Sequence, residues 1–267
     1  HLDEGCSQAD WLRINLLFFA LTGQDRYADM AERVLHNQLR MNQCETGGFG
    51  HRRVLYDEFG PAGYGTYLWE ALWCCDFHVA TALVGLGRFV LMQDAAGGDA
   101  RIPFFLDFQA ENERVSLEMR ETDTGEEAAS ANMRRWRLTF CAKEDGVKLW
   151  IRIPDWAGEV SVWDGAGRNA VTGREGRWLC LGAQGREEQA EYLCEVFCPV
   201  LAQSRRFGKG LTDADGGTFL LRQGPDLLAV TGAGRPAAVI DAPCDDMERV
   251  YVFRAEGVKC RCPENKA

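Results

Sequence analysis

Over about the first 95 residues, apolar positions recur every three to four residues; beyond Asp94 they recur every two. The first period is that of a helix, the second that of a half-buried strand. Trp11, Ile14, Leu17, Phe18 and Leu21 fall at helical spacing, and Gly23 stands where such a helix would be capped. A second helix is predicted from about Arg26 to Met41, with Met30, Val34, Leu35 and Leu39 as its buried stripe. The short link over 22–25 implies an antiparallel helix pair. A glycine-rich stretch over 47–65 reads as loop or short hairpin, and another helix is predicted over about 76–86.

After the switch, Trp136, Leu138 and Phe140 alternate with polar residues, and Leu149, Ile151 and Ile153 alternate with Trp150 and Arg152. Val160 and Val162, then 178–181, 192–197 and 219–221, continue the pattern, with turn signals at Asp145-Gly146, Asp164-Gly165, Gly173 and Gly216-Gly217. Many short strands at fairly regular spacing predict an antiparallel β-sandwich. The chain is therefore expected to be an α + β protein of more than one domain: helical over 1–95, a β-sandwich over 96–240, and a tail or final strand over 241–267.

Composition narrows the function. The 267 residues are 46% apolar and 26% charged, as in a folded globular protein. Acidic residues outnumber basic ones by 40 to 30, so no basic stripe is available for a phosphate backbone and no nucleic-acid partner is expected. The most apolar windows, 11–21 and 79–92, are too short to span a bilayer and carry Arg13 and Arg88, so no membrane partner is expected either. Eleven cysteines, several inside apolar runs, cannot all pair internally. That favours reduced thiols or metal ligands over a disulfide framework, and with it a cytoplasmic location. The chain begins at His1 and enters a motif-like stretch at once, which reads as the C-terminal portion of a longer protein.

Two features carry candidate chemistry. Glu4-Gly5-Cys6 stands just before a predicted helix, and the adjacent pair Cys74-Cys75 stands just before another. One carboxylate and three thiolates would close a tetrahedral Zn²⁺ shell, and a metal-held thiolate is a competent nucleophile. Small apolar core residues at two helix starts are the alternative reading of the same cysteines.

The ordered stretches Glu4-Gly5-Cys6, 16–23, 26–37, Trp73-Cys74-Cys75 and 149–157 (Leu-Trp-Ile-Arg-Ile-Pro-Asp-Trp-Ala) resemble glycoside hydrolase family 127, the β-L-arabinofuranosidase family, over roughly residues 1–230. The resemblance implies that 1–95 are the C-terminal part of an (α/α) barrel that is followed by the β-sandwich. It implies Zn²⁺ held by Glu4, Cys6, Cys74 and Cys75, with Cys74 as the nucleophile of a retaining glycosidase. It implies an arabinofuranoside-type glycan as substrate. It also places the general acid/base and most of the sugar pocket upstream of His1. A non-catalytic relative, with a structural zinc clip and a carbohydrate-binding or assembly role, is the alternative. A homodimer, if one forms, is expected through the β domain.

The pattern departs from the family where Asp76-Phe77-His78 replaces Pro-Pro-Asn after the cysteine pair. Asp76 is expected to act at the helix N-terminus, and His78 as a local structural donor. His51, Tyr64, Tyr67 and Trp69 are candidate sugar contacts, with loop or core packing as the alternative; Glu70 is a candidate carboxylate near the metal, with a solvated helix flank as the alternative. Cys194 and Cys198 are expected to be packing residues.

Overall fold

The structure is a computed structural model that describes residues 4–43, 47–57, 60–67, 74–93, 98–122, 132–205, 218–232 and 235–237. Trp69, Glu70, Cys260, Cys262 and the tail over 241–267 lie outside these residues. The chain is mixed α/β, mostly sheet, and falls into two compact units. One comprises His1–Leu12, Arg33–Ala82 and Val200–Ala267; the other comprises Arg13–Glu32 and Leu83–Pro199.

The helices are α1 (Gly5–Thr22), α2 (Asp25–Arg33), α3 (Arg40–Asn42) and α4 (Cys74–Leu86), and a π-helical segment, Val34–Leu39, joins α2 to α3. Gly23 caps α1 as expected: its φ is 65°, and its N–H reaches the Phe19 carbonyl at 2.8 Å. The buried face of α1 differs from the expected one. Trp11, Ile14, Leu17, Phe18 and Leu21 are 42–80% exposed, whereas Gln8, Ala9, Leu12, Leu16 and Phe19 are buried. The helix is apolar on both faces, so its sequence period leaves open which face is covered.

The expected second helix is interrupted. Asn37 anchors its π-helical segment. The Asn37 amide donates to the Arg33 carbonyl at 2.9 Å and to the Pro225 carbonyl at 3.0 Å, and its oxygen accepts from the Leu227 N–H at 2.8 Å. A side chain that reaches back to the carbonyl four residues earlier competes with the regular ladder, which accounts for the widened turn.

The first unit also holds the hairpin β1 (His51–Asp57) and β2 (Gly60–Tyr67), which the glycine-rich stretch builds. Its antiparallel sheet runs β13 (Val200–Arg205), β14 (Thr218–Gln223), β15 (Asp226–Gly232), β16 (Arg235–Ala237) in spatial order.

The second unit holds two five-stranded sheets. The strands between are β3 (Met92–Gln93), β4 (Ala100–Ile102), β5 (Phe108–Glu111), β6 (Val115–Thr122), β7 (Met133–Ala142), β8 (Val147–Arg152), β9 (Val160–Asp164), β10 (Gly173–Glu175), β11 (Trp178–Gln184) and β12 (Gln189–Phe197). Their orders are β10-β11-β8-β4-β3 and β5-β6-β7-β12-β9. Inward residues of both, among them Leu149 and Ile151 of β8 and Leu138 and Phe140 of β7, share one core, so this unit is a β-sandwich. The sandwich is not wholly antiparallel: β4 pairs parallel with β8. The intervening chain crosses through the other sheet, which supplies the long connection that a parallel pair requires.

The two most distinctive stretches of the sequence meet in this unit. Arg152, fully buried at the end of β8, donates to Asp29 and to Glu32 of α2 at 2.5 Å each and to the Pro103 carbonyl at 2.7 Å. The indole of Trp156 donates to Glu32 at 3.3 Å, and Arg177 grips Asp29 with two bonds of 2.7 Å. Burial alone would raise the Asp29 carboxyl, but its hydrogen bonds and the charges of Arg177 and Arg152 outweigh that and hold it below the usual carboxylate range. The residues that carry the family resemblance here are an ion-paired lock between a helix and a strand.

Candidate metal centre

The candidate centre lies wholly in the first unit. Glu4 precedes α1, and its carbonyl accepts the first helical bond from the Gln8 N–H at 3.1 Å. Cys6 is the second residue of α1; Cys74 and Cys75 are the first two of α4. The three sulfurs lie within 4.8 Å of one another. Cys74 Sγ and Cys6 Sγ are 4.0 Å apart, and the Cys6 thiol points to Glu4 Oε2 at 3.4 Å. Cys75 is buried, Cys6 half-buried and Cys74 exposed.

These separations are too long for a disulfide, and all seven described cysteines are free. They suit a metal. A tetrahedral ion with Zn–S bonds near 2.3 Å spaces its sulfurs about 3.8 Å apart. The protonation chemistry agrees. Burial, the bond to Glu4 and the neighbouring Cys75 and Cys74 together push the Cys6 thiol up to about 12. Burial likewise raises the Cys75 thiol. Crowded thiols beside a carboxylate resist becoming anions unless a cation is among them, and a bound metal deprotonates them outright. Cys6, Cys74 and Cys75 can therefore hold a metal ion; Glu4 reaches the Cys6 thiol but is not among the residues whose ligand atoms all lie within 4.8 Å of one another.

The surroundings explain the motif. A Cβ on Gly5 would meet the Gly50 carbonyl at 3.1 Å and Cys75 Cβ at 3.4 Å, so glycine lets the start of α1 approach both. The Gly5 N–H bonds that same carbonyl at 3.2 Å. Asp76 stands in the first turn of α4 as expected, but its carboxylate accepts from the Phe49 N–H rather than from its own helix. His78 Nδ1 lies 3.2 Å from Asp10 Oδ1, a local partner as expected. Sequence reasoning missed the buried pair beneath, where the Asn42 amide donates to Gln8 Oε1 at 2.6 Å. Its one signal was a glutamine on the face of α1 that also carries Leu12 and Leu16.

In the hairpin, His51 pairs in register with Tyr67, and Tyr64 with Val54. Cys194 and Cys198 are both buried in the sandwich core. None of the described helices is long and apolar enough to cross a membrane.

No protein-family model matches the sequence, and no curated protein matches it. Solved structures do. One is a GH127 β-L-arabinofuranosidase from Geobacillus stearothermophilus T6, with a TM-score of 0.60 and 17% identity over 85% of this chain and 36% of that one. Another is a glycoside hydrolase, with a TM-score of 0.59 and 15% identity over 85% of this chain and 38% of that one. The chain thus spans little more than a third of the length of either. At such identities the likeness is one of fold: the chain has a GH127-like fold.

Proposed function

We propose that this chain contributes the nucleophile and metal site of a retaining glycosidase that acts on β-L-arabinofuranosides. The observation that carries the reading is the convergence of two helix N-termini on Cys6, Cys74 and Cys75, with only Cys74 of the three exposed. The fold it shares with a GH127 β-L-arabinofuranosidase supports the sugar class. The exposed apolar face of α1, with Phe77 and Val84 of α4, supports a place for 1–95 among further helices of an (α/α) barrel.

Glu4, Cys6, Cys74 and Cys75 would hold Zn²⁺, which supplies charge that keeps the sulfurs ionised and aimed. Cys74, the sulfur open to solvent, attacks the anomeric carbon; the glycosidic C–O bond breaks and the departing oxygen takes a proton from a general acid. Water then gives a proton to the same acid/base group and displaces the sulfur, restoring the Cys74 thiolate and releasing sugar of the original configuration. Two displacements retain configuration, with a thiolate in place of the usual carboxylate nucleophile. Cys6 and Cys75, half-buried and buried, hold rather than attack. The reading assigns the acid/base to no described residue.

A four-donor set also fits a closed structural site, and that is the second reading. The two separate on covalent capture. After incubation with an aryl β-L-arabinofuranoside, peptide mass spectrometry is expected to find arabinose on Cys74, and metal analysis one zinc per chain. Absence of zinc, or unchanged glycosidase activity in Cys74→Ser, would overturn the catalytic reading.

A further inference from the structure

Two helix N-termini that meet at one point present like ends of their dipoles to each other, so something must hold α1 and α4 together there. The sulfurs cannot do this before a metal binds. Asp10 lies four residues after Cys6 on α1, and His78 four residues after Cys74 on α4. Four residues is about one helical turn, so each stands on the same face as its cysteine, one layer in. The two layers are in contact at both levels: Cys6 Sγ to Cys74 Sγ at 4.0 Å, Asp10 Oδ1 to His78 Nδ1 at 3.2 Å.

We propose that Asp10 and His78 form a positioning clamp that sets the Cys6–Cys74 sulfur separation for the metal; the inference rests on the metal reading above. Neither residue belongs to the thiol group that could hold the ion. The clamp limits how far the helix starts can splay, so the thiol pair waits near the spacing that a tetrahedral ion requires. The hydrogen bond runs from Nδ1 of the ring. An asparagine at 78 places its amide nitrogen nearly where Nδ1 lies, whereas a glutamine places its own farther out.

The test is metal affinity in the full chain, by competition with a chromophoric chelator, for Asp10→Ala, His78→Ala, the double variant, His78→Asn and His78→Gln. A half-exposed pair of this kind is expected to change Zn²⁺ affinity about two- to fivefold. Each alanine variant should show that loss, the double variant no more than either single, and His78→Asn should recover affinity where His78→Gln does not. Co²⁺ in place of Zn²⁺ reports geometry directly, and its visible bands should shift in the alanine variants and return in His78→Asn. Wild-type affinity and bands in both alanine variants, or losses that simply add in the double variant, would overturn the clamp. A wild-type chain that takes up neither ion would instead overturn the metal reading beneath it.

Discussion

Arg152→Met removes a buried guanidinium while keeping most of the side-chain volume, so it isolates the ion-paired lock from cavity effects. Asp29 survives the change with its two bonds of 2.7 Å to Arg177 and a third from the Asp155 N–H at 3.1 Å. Glu32 does not fare as well: it is fully buried and loses the 2.5 Å bond from Arg152, with the 3.3 Å bond from Trp156 among the contacts it keeps. A buried carboxylate that loses a cation partner can escape by taking up a proton, and that escape bounds the loss. From an ordinary glutamate pKa near 4.3, protonation at pH 7 costs about 3.7 kcal/mol, at 1.36 kcal/mol per unit. The expected destabilisation is therefore about 3–4 kcal/mol at pH 7, in the range seen when one partner of a buried pair is deleted. At pH 5 the same arithmetic leaves about 1 kcal/mol. Adding Glu32→Gln should restore most of the loss at pH 7. Denaturant titration followed by tryptophan fluorescence suits the assay, since Trp136, Trp150 and Trp156 all lie in this unit. An Arg152→Met penalty below about 1 kcal/mol at pH 7, or one equal at pH 5 and pH 7, would refute the stranded-carboxylate argument.

Three further outcomes are expected. Because Asp29 titrates below its unfolded value, its ion pairs stabilise the sandwich unit fully above that value, about 3.9, and the contribution is lost as pH falls through the lower folded one; Asp29→Asn should flatten this acid limb in melts from pH 5 downward. Gly5→Ala presses a methyl against the Gly50 carbonyl and Cys75 Cβ, so it should cost about 1 kcal/mol of overpacking and weaken zinc uptake, whereas Gly87→Ala, whose Cβ would meet only the Val84 carbonyl, should leave uptake unchanged. In the metal-free native chain, iodoacetamide should label exposed Cys74 well before Cys194, which is fully buried with its thiol pushed up to about 12; peptide mapping that finds Cys194 labelled first would contradict the burial.

The sheets were the legible part of the fold, because a strand buried on one side writes its orientation into alternate residues. Trp136, Leu138 and Phe140 point inward as their spacing required. Strand β6 carries the same signature in Val115, Leu117 and Met119, yet it was absent from the expected set. Strand β8 shows where the rule thins: Trp150 and Arg152 are buried opposite Leu149 and Ile151, and period two cannot announce a strand covered on both faces. The π-helical turn was illegible for another reason. Its cause, the grip of Asn37 on Pro225 and Leu227, lies nearly 190 residues away along the chain.

The candidate site divides along the same line between local and distant causes. Cys6 and the Cys74-Cys75 pair could be singled out because each sits at a helix start, a local property, and thiols at such positions have few reasons to coincide. What makes them a site is that the two helix starts meet, and that depends on Gly5 fitting under Gly50, on Asp76 holding Phe49 and on Gln8 receiving Asn42. None of these is visible before the helices are placed, since a polar residue on an apolar face announces a buried partner without naming it. The face of α1 opposite these contacts poses the same question in reverse. Five large apolar side chains stand exposed there, from Trp11 to Leu21. A helix that is apolar on both faces is more often buried than exposed. The period that misled the expectation about which side is buried thus becomes support for the proposed barrel. Under that proposal the stripe is a packing surface for further helices.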